Sequence, residues 1–191
     1  MWVKERFFNE IFFIVCLNFF FMQSNANSDT ARQIIDNLEK AKNYSFKFVQ
    51  KINEKKESGN CVLVFDRKIN CKYEKTGKLL ISDGRNLIIK SRNSNIPNFY
   101  KLKDTYFYKI LDKKYIINEL SKTTIKKEYG KLYVVINDQN IDIKIYFDKE
   151  KLYLRGWETK DIYNNSVLTE IKIQEVNKNI NENIFDLQKF N

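Results

Sequence analysis

Two pairs of carboxylates are spaced closely enough to share a site: Glu158 with Asp161, and Asp142 with Asp148. Paired carboxylates carried on facing strands can run glycoside hydrolysis, a reaction that needs no imidazole. That point matters because the chain contains no His. Its absence removes the commonest general base, the commonest metal ligand and every Ser–His or Cys–His dyad. Against the pairs stands their number. With 24 acidic and 34 basic residues in the chain, carboxylates this close arise by chance, and most serve as solvated partners of Lys. No catalytic residue, no metal site and no cofactor is expected, and a secreted carboxylate-dependent hydrolase is kept only as a rival reading.

Two cysteines are the next candidates for chemistry. Cys61 and Cys71 lie ten residues apart in GNCVLVFDRKINCKYE. If 61–65 and 69–74 are adjacent antiparallel strands joined by a turn at 65–67, the two face each other within disulfide reach. They are either bridged or a pair of buried free thiols. The third cysteine, Cys16, stands in an apolar run and is preceded by Ile14 and Val15, not by the small residues a lipid-modified cysteine needs.

That run sets the compartment. MWVKERFFNE is charged, IFFIVCLNFFFM is apolar, and QSNAN supplies small residues at Ser24 and Ala26. This is the order of a secretory signal peptide, and the apolar part is short for a membrane span of roughly 20 residues. Residues 1–26 are therefore expected to be a cleaved signal, with a retained anchor as the alternative, and 27–191 a single domain. The formal charge of +10 is spread over the chain as Lys mixed with Asn and Ile. That is a compositional drift rather than a patch for a polyanion, so no nucleic-acid partner is expected.

The elements follow from periodicity. SDTARQIIDNLEKAKN, 28–43, places Ile34, Ile35, Leu38 and Ala41 on one helix face. The period then changes to two, and YSFKFVQKI sends Tyr44, Phe46 and Phe48 to one side. Further strands are expected at 59–65, 69–74, 78–82, 86–91 and 98–101. Two short helices, 105–111 and 113–120, interrupt them, and strands resume at 122–128, 131–136, 141–147, 151–157 and 166–173. Phe185 and Phe190 close the end of the chain. About eleven antiparallel strands in one sheet must curl toward a barrel, which gives a mainly β, strongly curved antiparallel fold with an N-terminal helix and short helices as an α lid over its concave face.

The apolar surface exceeds what a simple sheet needs. VLVF at 62–65, LLI at 79–81 and LII at 87–89 are apolar on both faces. Ile35, Leu38, Phe46, Phe48, Leu63, Phe65, Ile69, Tyr73, Leu80 and Ile88 are expected to line the concave side. Phe107, Ile110, Leu111 and Ile117 are expected to cover it as the lid. The helices are too short to fill so wide an interior, so an oily cavity is expected to remain.

The order of motifs resembles the LolA-type periplasmic carriers of lipoproteins. FKFVQK follows an N-terminal helix, a strand led by Gly59 comes next, and KINCKYE is its partner. LLISDGRNLII is similar to the family's most recognisable segment, YKLKDTYFYKILDKKYII to its lid region, and LYLRGWETKDIYNNSVLTEIKIQEVNKNINENIFDL to its C-terminal strands. The resemblance implies an unclosed eleven-stranded barrel with a helical lid over a hydrophobic cavity. It implies a monomeric, non-enzymatic chaperone in the periplasm. Such a carrier takes lipoproteins from an inner-membrane ABC transporter, shields their acyl chains and delivers them to an outer-membrane acceptor. An outer-membrane-side acceptor of the same fold is the alternative. One departure stands out. The family often has an Arg-Pro-Gly turn whose Arg latches the lid; here the turn reads FDRK, Phe65 falls where the Arg would be, and Arg67 lies two places on.

Overall fold

The computed structural model describes residues 27–65, 67–94, 96–138, 141–161 and 163–190. The expected signal segment and Cys16 lie outside the described residues. No helix among the described residues is long and apolar enough to cross a membrane.

Helix α1 spans 27–40 and buries Ile34 and Leu38, with Ala41 buried just after its end. Its C-terminus ends on Asn177, which donates through Nδ2 to the Lys40 carbonyl at 3.1 Å and accepts from the Lys42 N–H at 2.6 Å. A side-chain amide thus satisfies groups that helix geometry leaves open. Six strands follow in a meander: β1 (Asn43–Ile52), β2 (Lys55–Val64), β3 (Lys68–Tyr73), β4 (Leu79–Asp83), β5 (Asn86–Lys90) and β6 (Asn98–Lys101). A short 3-10 turn, Leu102–Asp104, leads into α2 (Phe107–Ile110) and α3 (Lys113–Lys122). The sheet then resumes with β7 (Lys126–Glu128), β8 (Lys131–Asp138), β9 (Ile141–Phe147), β10 (Leu154–Lys160) and β11 (Ser166–Val176). Two further 3-10 turns, Glu182–Phe185 and Gln188–Phe190, finish the chain.

All eleven strands belong to one antiparallel sheet ordered β6-β5-β4-β3-β2-β1-β11-β10-β9-β8-β7. β1 and β11, the first and last strands in sequence, pair along the middle of it. The sheet does not close: β6 and β7 are its two edges. The segment that joins those edges in sequence is the one that carries α2 and α3. The architecture implied by the resemblance, an unclosed eleven-stranded sheet with helices over one face, is the one the chain forms.

Several element boundaries differ from the expected ones, and three of them have a local cause. β2 begins at Lys55, not at 59, because the β1–β2 hairpin pairs down to Ile52 and Lys55 with Asn53 in a left-handed turn conformation. That tip is polar on both faces, so hydrophobic alternation gives no sign of it. β7 is cut to three residues because α3 continues through Lys122. β10 starts at Leu154, not at 151, because Asp148 holds a turn: its Oδ1 accepts from the N–H groups of Glu150 at 2.9 Å and Lys151 at 2.8 Å. An Asp that bonds the backbone two and three residues on competes with strand pairing at that point.

Candidate functional site

The inner face of the sheet is built from side chains that meet in rows across the strands. One row runs Tyr44, Leu63, Ile69, Ser82, Leu87. The next runs Phe46, Cys61, Cys71, Leu80, Ile89. A third places Phe48 and Tyr73 on either side of Gly59, with the two rings 4.8 Å apart edge to face. A Cβ on Gly59 would stand 2.1 Å from the Lys72 carbonyl and 2.7 Å from the Phe48 ring, so only Gly lets the rings close over the strand. A fourth row crosses the middle strands as Gln50, Thr169, Trp157, Ile145 and Val134.

Cys61 and Cys71 are bridged, directly opposed in the β2–β3 register. Both are buried and face the interior with Phe46 and Leu80. A bridge closing a loop this short stabilises by about 2–3 kcal/mol, chiefly by restricting the unfolded chain.

The lid fills this lumen. Phe107, Ile110 and Leu111 of the α2 segment and Ile116 and Leu120 of α3 are all buried in the main core. Ile117 packs against that core half-buried. Phe107 is the lid residue that lines the residual cavity, and it stands edge-on to Trp157 with ring centroids 6.5 Å apart. The space left among Phe46, Phe48, Gln50, Ile69, Tyr73, Leu80, Phe107, Trp157, Thr169 and the disulfide is about 10 Å³. That holds about one water molecule. The open cavity expected from the sequence is therefore absent in this closed form: a short helical segment suffices because its large side chains point straight into the trough.

Two contacts hold the lid corner between α2 and α3. Arg67, in the β2–β3 turn, pairs with Asp112 through Nη2 and Oδ2, and its guanidinium lies over the Tyr108 ring, 4.4 Å from the centroid. Asp112 is also the N-cap of α3 and accepts from the Tyr115 N–H at 3.1 Å. On the other side Lys113 donates to the Ala41 carbonyl at 2.8 Å and the Glu39 carbonyl at 3.2 Å. These are carbonyls at the end of α1, where a cation is favoured. Arg67 adopts a left-handed backbone conformation, φ 63°, the position at which a turn glycine is ordinarily used. Sequence reasoning found Arg67 but could not find its partner, because nothing in the chain marks Asp112 as the residue 45 positions away that the turn would meet.

The remaining expected lining residues are placed as follows. Leu38 is buried within α1, whereas Ile35 is half-buried at the seam between α1 and α3. Phe65 directly follows β2 and packs edge-on against Tyr44 at 5.1 Å. Ile88 is a correction: it pairs with Ile81 and Phe99 on the outer face. Ile81 and Ile88 are buried all the same, because the C-terminal segment crosses that face. Asn70 donates to the Ile184 carbonyl at 2.6 Å, and Phe185 is buried there. LII at 87–89 is apolar on both faces, so alternation could not tell which side it served. Gln50, Trp157 and Thr169 were not among the expected lining residues; polar and aromatic groups at strand period carry no mark of their side.

Larger clefts lie elsewhere, and two exceed 500 Å³. One, about 520 Å³, is on the outer face beneath the C-terminal segment and is bordered by Val62, Ile81, Ile184 and Phe190. The other, about 650 Å³, separates α1 from the end of α3 and is bordered by Ala31, Ile35, Leu120 and Ile125.

The carboxylates are tied into the framework. Glu158 accepts from the Tyr146 and Ser166 hydroxyls, each at 2.7 Å. Burial pushes its carboxyl up, but these hydroxyls and Lys144 outweigh it and hold it below the usual range. Asp161 is likewise held low by Asn165 and the turn it caps. A glycosidase acid needs the opposite, a raised value that keeps its proton near neutrality. Among the described residues, no group of three or more acidic, Cys or His side chains is placed to hold a metal ion.

No protein-family model matches the sequence, and no curated protein matches it either. Solved structures do. A LolA superfamily protein from Nitrosomonas europaea is 6% identical, with 85% of this chain and 98% of that one covered at a TM-score of 0.44. The lipoprotein LppX from Mycobacterium tuberculosis is 12% identical, with 82% and 98% covered at 0.46. LprF from Mycobacterium bovis is 9% identical, with 82% and 95% covered at 0.46. At these identities and TM-scores they are likenesses only, and the functional reading rests on the register and packing of this chain.

Proposed function

We propose that the protein is a carrier for acyl chains, and specifically a periplasmic chaperone that shuttles lipoproteins from an inner-membrane ABC transporter to an outer-membrane acceptor. The observation that carries this reading is the lid. A segment strung between the two free edges of an open sheet inserts Phe107, Ile110, Leu111, Ile116 and Leu120 into the sheet's oily inner face. It is pinned there at one polar corner.

The energies favour exchange over permanent closure. Burying five such side chains is worth about 1.5–3 kcal/mol each, about 8–15 in all. An acyl chain of about sixteen carbons gains about 0.8 kcal/mol per buried methylene, on the order of 12 kcal/mol. The two occupants of the trough are of similar worth, so neither wins outright. Cargo can displace the lid, and the lid can help expel cargo when an acceptor offers the chain another apolar site. No covalent step is needed, and the outcome depends on binding alone.

The test is lipid analysis of protein purified from the periplasm under non-denaturing conditions. Lipoprotein or acyl lipid should accompany it, and cells depleted of the protein should accumulate lipoproteins at the inner membrane. Purification free of any acyl lipid, with lipoproteins still sorted normally in depleted cells, would overturn the reading.

A further inference from the structure

Among the described residues, one unpaired polar donor lines the residual cavity of the lumen. Trp157 is 3% exposed, and its Nε1 is buried without a hydrogen-bond partner among the described residues. Its neighbours across the strands are served: Gln50 donates to the Thr169 hydroxyl at 3.1 Å and accepts from the Tyr73 hydroxyl at 3.5 Å. A buried N–H left unpaired is costly, and Phe at this position would fill much of the same space without that cost. Trp157 lines the residual cavity, and the ring that packs against it is Phe107 of the lid. The unused donor therefore sits where cargo must pass when the lid leaves.

We propose that Trp157 is the polar anchor of the acyl cargo, its indole N–H donating to the ester carbonyl of an ester-linked chain once Phe107 has withdrawn. The inference rests on the carrier reading and adds the chemical class that the lumen selects. The donor is neutral, and so is its surrounding row. The nearby Lys78 ammonium, 3.8 Å above the Tyr73 ring, is already paired with Glu57 at 2.6 Å. An uncharged carbonyl fits such a site, whereas a free carboxylate or a phosphate would enter it without a counter-charge.

The test compares soluble single-chain probes on the full-length protein: 1-palmitoyl-lysophosphatidylcholine, its 1-O-hexadecyl ether analogue and palmitate. The ester should bind roughly three- to tenfold tighter than the ether, the worth of one hydrogen bond in a dry site. Palmitate should bind more weakly than the ester. Trp157→Phe should erase the ester preference, so that ester and ether bind alike. The indole N–H proton resonance of Trp157 should move downfield with the ester and not with the ether, a readout that needs no variant. Equal binding of ester and ether to the wild type would overturn the anchor and leave the carrier reading standing. So would a Trp157→Phe variant that loses affinity for both alike, or palmitate binding as tightly as the ester. If neither the ester nor the ether binds the wild type, the carrier reading itself falls.

Discussion

Arg67 ties the β2–β3 turn to both short helices. One guanidinium grips the cap of α3 through Asp112 and the ring of Tyr108 from α2. Because Arg67 is one-third exposed, solvent screens the pair, and the two contacts together are worth about 1–2 kcal/mol. Arg67→Ala is expected to raise amide exchange over residues 105–122 roughly five- to thirtyfold while the β1–β11 ladder keeps its protection, as measured by hydrogen-exchange mass spectrometry. Unchanged exchange in the lid would remove the latch. Glu158 makes a separate case. Its carboxyl is held low when folded, so the stability it contributes is full above the ordinary value of 4.5 and is lost as pH falls below it. Glu158→Gln should therefore flatten the fall in stability below about pH 4.5 in acid titrations of unfolding, with little change in shape at neutral pH. The legibility of single residues was uneven. Cys61 and Cys71 could be paired from their spacing about a turn, because antiparallel register is simple arithmetic. Trp157 could not be placed, since its meaning depends on what stands opposite in three dimensions.

Strands and helices were easier to read than their ends. Alternation along β1 and the 3.6 period of α1 each place a whole face in the core, so existence and type follow from local pattern. Ends failed where polar chemistry decided them: the Asp148 turn, the Asn53 hairpin tip and the extra turn of α3. The lid helices were found at their helical spacing, but their depth was not. Sequence gives a helix its apolar face and says nothing of how far that face sinks. Phe107 measures that depth. It is 7% exposed and touches the lumen cavity, and truncation to Ala should cost about 3–5 kcal/mol of stability by emptying the trough. In the proposed exchange the same change also removes a lid side chain that competes with cargo for the lumen. Phe107→Ala should therefore bind an acyl probe more tightly than the wild type in a fluorescence titration, even as its thermal midpoint falls. Weaker binding by a folded variant would mean that Phe107 contacts cargo rather than competing with it.

The molecule joins an open sheet and a tethered stopper in one chain. β6 and β7 are the two edges of the sheet, and the segment that carries the lid is tethered to both of them. Class of fold was legible because eleven short strands with one helical interruption admit few arrangements. What could not be read was the state in which the sheet rests, which depends on side-chain volumes summed over the whole interior. The closed state leaves about 10 Å³, so the proposed cargo and the lid must be alternatives for one space. Trp157 reports on that space. The chain has two Trp residues, and replacing Trp2 by Phe leaves Trp157 as the sole indole, in the lumen beside Phe107. Phospholipid brominated along its acyl chains should quench that fluorescence in step with binding, and its unbrominated counterpart should not. Binding of the brominated lipid with the emission of Trp157 untouched would place the acyl chains outside the lumen and contradict the exchange of lid for cargo.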